Sequence, residues 1–166
     1  MLEQNQSSHI LDLRGNPGGW LNESILTAGL FLPEKELVLI ERLKDGSQRT
    51  FETPGRPLAG DIKMVVLVDG GSASASEIVA GALQDHGRAV LIGETTFGKG
   101  SVQLPHELSN GAELRVTIAR WFTPNDRAIH GEGLDPDIEV ELTLDDMDAE
   151  LDPQLDRAIE YLLTGQ

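Results

Sequence analysis

The sequence predicts an α/β domain in which helices flank a mostly parallel sheet and a hairpin lies at the periphery. An apolar run at residues 64–68 leads through small residues at 70–75 into an amphipathic run at 76–85. After Gly87, a second apolar run follows at residues 89–92. A strand, a helix and a strand joined by short loops form a right-handed crossover, which places the two strands parallel in one sheet.

The elements before this unit are shorter. Residues 10–14 predict a strand that ends in a glycine-rich turn at 15–19, where close backbone approach is easy. Asn22 is the expected N-cap of a helix that stops before Pro33. Two β-rich runs around a Lys-Asp-Gly-Ser turn predict the hairpin, over residues 37–52.

The elements after the central unit end in a helix. Residues 114–122 alternate between apolar and polar side chains, which predicts a half-buried strand, and Asn110-Gly111 predicts a hairpin turn before it. A last short strand is expected at 138–142. Asp152 is the expected N-cap of a terminal helix with Pro153 at its first position. The side chains expected to face inward from that helix are Leu155, Ile159, Leu162 and Leu163.

Composition limits the functions open to the chain. Its 166 residues include 13 basic and 28 acidic side chains, a net charge of −15, which disfavours nucleic acid and anionic membranes as partners. The absence of cysteine excludes disulfides, thiolate metal sites and a cysteine nucleophile. No apolar run is long enough for a membrane span. We expect a disordered lead-in at residues 1–9, one domain over 10–166, and no metal or cofactor.

Small residues between the central strand and helix present hydroxyl groups where free helix N–H groups converge. Ser72, Ser74 and Ser76 are all candidate nucleophiles, and an ordinary N-cap serine is the alternative interpretation. Of the available bases, we favour Lys99, because an amine acts as a base when it is neutral and burial favours that form. Phe97 and the flanking glycines predict a tight, weakly solvated pocket for Lys99, against the alternative of a solvated loop lysine.

Four segments together carry a resemblance to a known family. The sequence resembles the carboxyl-terminal processing (tail-specific) peptidases, a serine–lysine family with a ClpP/crotonase-like core. The match runs over residues 10–163 in the family's order. The segments are residues 11–19, 72–78, 93–100 with Gln103, and 133–138.

The resemblance implies roles for particular residues. Ser74 is the implied nucleophile, Lys99 the general base and Gln103 the residue that orients the lysine amine. A glutamine suits that task because its carbonyl accepts a hydrogen bond without adding charge. Asp85 falls where some members carry a supporting aspartate, but we favour the interpretation as a solvated carboxylate at the helix end.

The resemblance also implies an oxyanion hole. A tetrahedral oxygen needs two donors at about 3 Å. The backbone N–H groups of Gly19 and Ala75 are the expected donors, with Gly18 as the close competitor of Gly19.

From these residues we expect a serine endopeptidase that cleaves near the C-terminus of unfolded or extended protein substrates through an acyl-enzyme. The resemblance implies a catalytic core without the family's PDZ domain and N-terminal segment, in a protein of the cell envelope or periplasm. An open sheet edge would allow a homodimer. The alternatives are a non-catalytic module of the same fold that binds an apolar ligand, and a crotonase-like enzyme acting on acyl-CoA.

Overall fold

A computed structural model of the chain describes residues 8–166, which fold into two four-stranded sheets and four helices. The strands are β1 (Ser8–Asp12), β2 (Leu37–Leu43), β3 (Gln48–Glu52), β4 (Lys63–Val68), β5 (Val90–Gly93), β6 (Ser101–Glu107), β7 (Glu113–Phe122) and β8 (Ile138–Glu139). The helices are α1 (Leu21–Ala28), α2 (Ala75–Asp85), α3 (Leu144–Asp148) and α4 (Pro153–Thr164).

The first sheet has the strand order β1-β4-β5-β8, and all its pairings are parallel. The second has the order β3-β2-β7-β6, and all its pairings are antiparallel. The predicted α/β class with a parallel sheet and flanking helices is therefore confirmed. The hairpin of β2 and β3 is present with its predicted bounds, and it forms half of the antiparallel sheet.

Helix α2 is the centre of the larger hydrophobic cluster. Its residues 75–83 are all buried, and it packs against α1, β2 and β5. Helix α4 covers the opposite face of the parallel sheet, where Ala158 packs with Val65, Leu67 and Ile92. The parallel sheet is thus covered on both faces, which explains why β4 is an unbroken apolar run from Met64 to Val68.

The first two elements begin earlier than predicted. Ser8 and His9 belong to β1, so the expected lead-in is wrong for these two residues, and its residues 1–7 lie outside the described part. Helix α1 starts at Leu21, with Trp20 rather than Asn22 at the N-cap and no side-chain cap. The helix also ends at Ala28, well before Pro33, because the following residues turn toward β2.

The largest departures lie after β5. The hairpin turn predicted at Asn110-Gly111 is present, and it joins β7 to β6, a strand for which no bounds were predicted. Strand β6 pairs with β7 along its whole length. Strand β7 is not half-buried throughout, because β2 pairs with its last four residues only, and Leu114 and Val116 are exposed. Strand β8 is shorter than expected, and two of the side chains expected to face inward from α4, Ile159 and Leu163, are exposed.

No helix of the part that the structure describes, residues 8–166, has the length and apolar character needed to cross a membrane.

An ionic cluster fixes the end of β1 to the start of α4. Arg14 donates to Asp12 at 2.8 Å and to Asp152 at 2.8 Å, and Asp152 also accepts from the Leu155 N–H as the N-cap of α4. Hydrogen bonds from the Arg14 side chain lower the pKa of both carboxyl groups. Groups with a depressed native pKa stabilise the fold above their unfolded pKa, about 4, and lose that contribution as pH falls through the native value.

We therefore expect Arg14→Gln to lower the free energy of unfolding at pH 7 and to do so less at pH 3, where both carboxyl groups are increasingly protonated. Urea unfolding midpoints at the two pH values measure the difference. Arg157→Gln, which removes an exposed pair with Glu160, is the control and should show little pH-dependent difference. If Arg14→Gln lowered the free energy of unfolding equally at both pH values, the proposed link between the lowered pKa values and stability would be contradicted.

Candidate active site

Three of the four segments of the predicted site converge at one edge of the parallel sheet. The turn at residues 15–19 follows β1, the turn at 69–74 follows β4, and the loop at 94–100 follows β5. These three strands are neighbours and run parallel, so their carboxyl ends meet at the same edge. Ligand and catalytic sites of open parallel sheets lie at that edge.

Ser74 is held in an unusual backbone conformation at the start of α2. Its φ is 57° and its ψ is −116°, values that a residue with a Cβ rarely adopts. Such strain persists where the surrounding structure enforces it, and it clusters at functional sites. The side chain is half-buried and stands directly before the first turn of the helix.

The structure separates Ser74 from the two neighbouring candidates. The Ser72 hydroxyl is buried, donates to the Leu13 carbonyl at 2.8 Å and accepts from the Asp69 N–H. The Ser76 hydroxyl donates to the Asn16 carbonyl at 3.1 Å. Ser72 and Ser76 therefore bind the β4 turn to the β1 turn, which leaves Ser74 as the candidate nucleophile.

The carboxylate of Glu77 joins the segment of Ser74 to the segment of Lys99. Its Oε2 atom accepts from the Ser74 N–H at 2.8 Å and from the Lys99 N–H at 2.8 Å. Its Oε1 atom accepts from the Gly98 N–H at 2.7 Å and from the Thr96 hydroxyl at 2.6 Å. Because the nitrogens of Ser74 and Lys99 share one acceptor atom, they lie no farther apart than twice that distance.

Glu77 is fully buried, and the four donors saturate it. It lies at the third position of α2, where the helix dipole favours a negative charge. Glu77 lies within the segment 72–78 that carries the family resemblance, and no role was predicted for it. A serine followed three residues later by a glutamate at a helix start is the sequence signal of a capping box, in which the glutamate accepts a hydrogen bond from the backbone N–H of the serine.

Thr96 connects this cluster to the fourth segment. Its hydroxyl accepts from the Leu134 N–H at 2.8 Å, and its own N–H donates to the Leu134 carbonyl. Gly133 lies so close that a Cβ there would stand 2.4 Å from the Thr96 carbonyl oxygen. The segment at 133–138 therefore supports the loop of Lys99 from behind.

The expected pocket around Lys99 is not present. Lys99 is exposed, and Phe97 is 66% exposed, because Glu77 draws the backbone of residues 98 and 99 inward and the two side chains point away from the core. The prediction that Phe97 shields the lysine amine is therefore wrong for the part of the chain that the structure describes.

Gln103 lies in β6 at a β-bulge between Val102 and Gln103. It is opposite Thr117 of β7. Bulges redirect side chains beside active sites. Gln103 is exposed and makes no side-chain hydrogen bond to Lys99 or another residue of the described range.

The turn after β1 lies against the start of α2. A Cβ at Gly18 would be 2.7 Å from the Ala75 nitrogen and 2.5 Å from the Ala73 carbonyl oxygen. The Gly18 N–H donates to the Asn16 side chain at 3.0 Å, whereas the Gly19 N–H has no acceptor among residues 8–166. The absence of a side chain at Gly18 thus lets the turn approach the start of α2, and the backbone N–H of Gly19 is available as a hydrogen-bond donor.

A cavity of about 210 Å³ opens beside this turn, between α1 and α2. Its walls include Gly18, Gly19, Trp20, Ala75 and Val79. Trp20 is 80% exposed, so it forms a wall of the cavity and is not a packing residue. Trp121 is buried, as a packing residue should be.

Asp85 has a structural partner. Its carboxylate forms an ion pair with Arg127 and accepts from the Asn125 N–H at 2.7 Å, and its side chain is 3% exposed. The interpretation as a solvated carboxylate is therefore wrong, and these contacts fix the end of α2 to the turn after β7. Within residues 8–166, no three His, Asp or Glu side chains are arranged to hold a metal ion.

A model of peptidase family S41 matches residues 1–140, well over half of the chain. The chain belongs to peptidase family S41. It is 46% identical over 166 residues to a carboxyl-terminal-processing protease of Synechocystis sp., covering 98% of the chain and 38% of that protein. It is 46% identical over 136 residues to a carboxy-terminal-processing protease of Bartonella bacilliformis, covering 82% of the chain and 31% of that protein.

A solved structure of the photosystem II D1 C-terminal processing protease matches with a TM-score of 0.74 and 34% identity. The match covers 81% of this S41 chain and 35% of that one. The chain thus spans well under half the length of these three relatives. The predicted family and the fold of its core are confirmed.

Proposed function

We propose that the protein is a serine endopeptidase that cleaves near the C-terminus of protein substrates, with Ser74 as nucleophile and Lys99 as general base. The observation that carries the proposal is the shared Glu77 Oε2 atom, which holds the backbone of both residues at one place. A nucleophile and its base must lie within hydrogen-bond reach during the reaction. Membership of a peptidase family supports the same chemistry.

In the proposed reaction, the Lys99 amine first loses its own proton to solvent and then takes the proton of the Ser74 hydroxyl as the serine oxygen attacks the scissile carbonyl carbon. The tetrahedral intermediate collapses, the C–N bond breaks, and Lys99 returns the proton to the leaving amine. Water then attacks the acyl-enzyme by the same route and releases Ser74. Gln103 is proposed to orient the amine.

Backbone donors are proposed to stabilise the oxyanion. The Ala75 N–H is the first of α2 and has no acceptor within the helix, and the dipole of α2 favours negative charge at that point. The Gly19 N–H is the second donor, because the Gly18 N–H is already bound to Asn16. Loss of one such donor typically costs about 10²-fold or more in kcat.

The substrate class and the cellular setting are part of the proposal. We propose unfolded or extended C-terminal segments of proteins as substrates and the cell envelope or periplasm as the location. The processing proteases among the relatives support the substrate class. A homodimer that pairs through the edge strand β1 stays a prediction, which light scattering of the purified chain tests.

The test is to incubate the complete gene product with casein and to follow fragments by mass spectrometry. We expect fragments shortened at the carboxyl end, none of them from Ser74→Ala, and a covalent adduct of Ser74 with a serine-reactive fluorophosphonate. Fragments that persist in the Ser74→Ala protein would overturn the proposal. Recovery of a bound lipid, with no cleavage by either protein, would favour the carrier function.

A further inference from the structure

A second concave surface lies on the antiparallel sheet, at the point where β2 diverges from β7. It is a cavity of about 320 Å³, and no residue proposed above for catalysis lines it. Three cations line it, Arg42, Lys44 and Arg120, together with aliphatic groups of Leu43 and Ile118. We call this surface the cationic fork.

The fork is positive in a strongly negative chain. The whole sequence carries a charge of −15, yet none of the lining residues is acidic. Arg42 and Arg120 are directly opposite each other in the register of β2 and β7. Like charges at such positions destabilise a sheet, so the pair needs a compensating negative group.

Arg42 is compensated by an acidic side chain, and no such partner of the other two cations lies within residues 8–166. Arg42 forms an ion pair with Asp126, and its guanidinium lies 4.1 Å from the centre of the Phe122 ring. Lys44 and Arg120 are exposed and have no ion pair or side-chain hydrogen bond among residues 8–166. Two free cations therefore point into or beside one cavity.

A free strand edge begins at the same place. Strand β2 pairs with residues 119–122 of β7, and the Lys44 N–H donates to the Ile118 carbonyl at 3.3 Å. Beyond that bond, residues 113–117 have β6 on one side and no strand of the described range on the other. Leu114 and Val116 are 51% and 45% exposed beside this edge.

We propose that the cationic fork binds the terminal carboxylate of a peptide whose chain continues along the free edge of β7. An arginine guanidinium pairs with a carboxylate through two parallel hydrogen bonds, and an extended peptide completes a sheet edge through its main chain. The aliphatic lining suits an apolar last residue. The net charge of the chain repels polyanions such as nucleic acid, which favours a single carboxylate as the ligand.

The site does not depend on the proposed function, because binding requires no nucleophile. The test therefore uses the full chain with Ser74→Ala and a rhodamine-labelled peptide of Gly, Ser and Val that ends in Val. Fluorescence anisotropy compares the free carboxylate with the same peptide amidated. We expect the free acid to bind at least about tenfold more tightly, and added salt to reduce the difference.

Variants locate the binding. Arg120→Gln and Lys44→Gln are each expected to weaken binding of the free acid severalfold and to leave binding of the amide unchanged. Arg157→Gln removes the same charge from α4 and is the matched control, which should bind as the parent does. The proposal would be overturned if the free acid and the amide bound with equal affinity. It would also be overturned if Arg120→Gln and Arg157→Gln lost equal affinity for the free acid while their unfolding midpoints stayed unchanged.

Discussion

Lys99→Ala is expected to lower kcat/KM for casein by at least about 10³-fold, because the serine hydroxyl is a poor nucleophile without a base. Lys99→Arg is expected to be equally inactive, since a guanidinium keeps its proton at every working pH. Lys99 is exposed, so neither change should lower the unfolding midpoint by more than a small amount. The measurements are initial cleavage rates and urea unfolding of each variant.

Lys63→Ala is the matched control for this prediction. Lys63 is also exposed, but it begins β4, whereas Ser74 follows the opposite end of that strand. We expect the Lys63→Ala protein to cleave at the parent rate. A Lys99→Ala protein that cleaves at the parent rate would exclude Lys99 as the base and would leave Ser74 in need of a different partner.

Glu77→Gln is expected to reduce both stability and activity. The glutamine carbonyl can replace one carboxylate oxygen, but its NH₂ group then faces two of the four donors that Glu77 now accepts. Two buried donors without acceptors cost on the order of 3 kcal/mol in the free energy of unfolding. If the NH₂ group faces Ser74 and Lys99, the two residues also lose their common anchor, so kcat should fall about 10-fold or more in the protein that remains folded.

Thr96→Val separates the two effects. It removes one hydrogen bond to Glu77 Oε1 and one from the Leu134 N–H, but it leaves the Oε2 contacts of Ser74 and Lys99 intact. We therefore expect Thr96→Val to lower the unfolding midpoint and to keep kcat, measured below that midpoint, near the parent value. Equal losses of kcat in the two variants would show that Glu77 stabilises the fold without positioning the site.

The parallel half of the fold was predictable because each of its elements carries a local signal. The apolar run at residues 64–68 and the small residues after it specify β4 and the start of α2. The outer part of β7 was not predictable from its alternation. That pattern indicates one apolar face, and it carries no information on whether another element covers the face.

The segments that form the candidate site were predictable from the sequence, but the hydrogen bonds that join them were not. The pattern of three serines could not single out Ser74, because the distinction depends on the long-range bonds from Ser72 to Leu13 and from Ser76 to Asn16. The role of Glu77 depends on a loop that lies about twenty residues later in the chain. The burial of Lys99 was predicted wrongly, since flanking glycines indicate backbone approach and do not indicate where the side chain points.

The chain passes from the parallel sheet to the antiparallel sheet through residues 94–100, and Lys99 lies in that passage. Ser74 follows β4 of the parallel sheet, whereas Lys99 lies in the connection between β5 of the parallel sheet and β6 of the antiparallel sheet. A chimera that exchanges residues 94–122 for those of a relative would consequently keep this chain's Ser74 and inherit the other protein's placement of the lysine proposed as its base. Differences in rate between members of the family can thus be traced by grafting one contiguous segment.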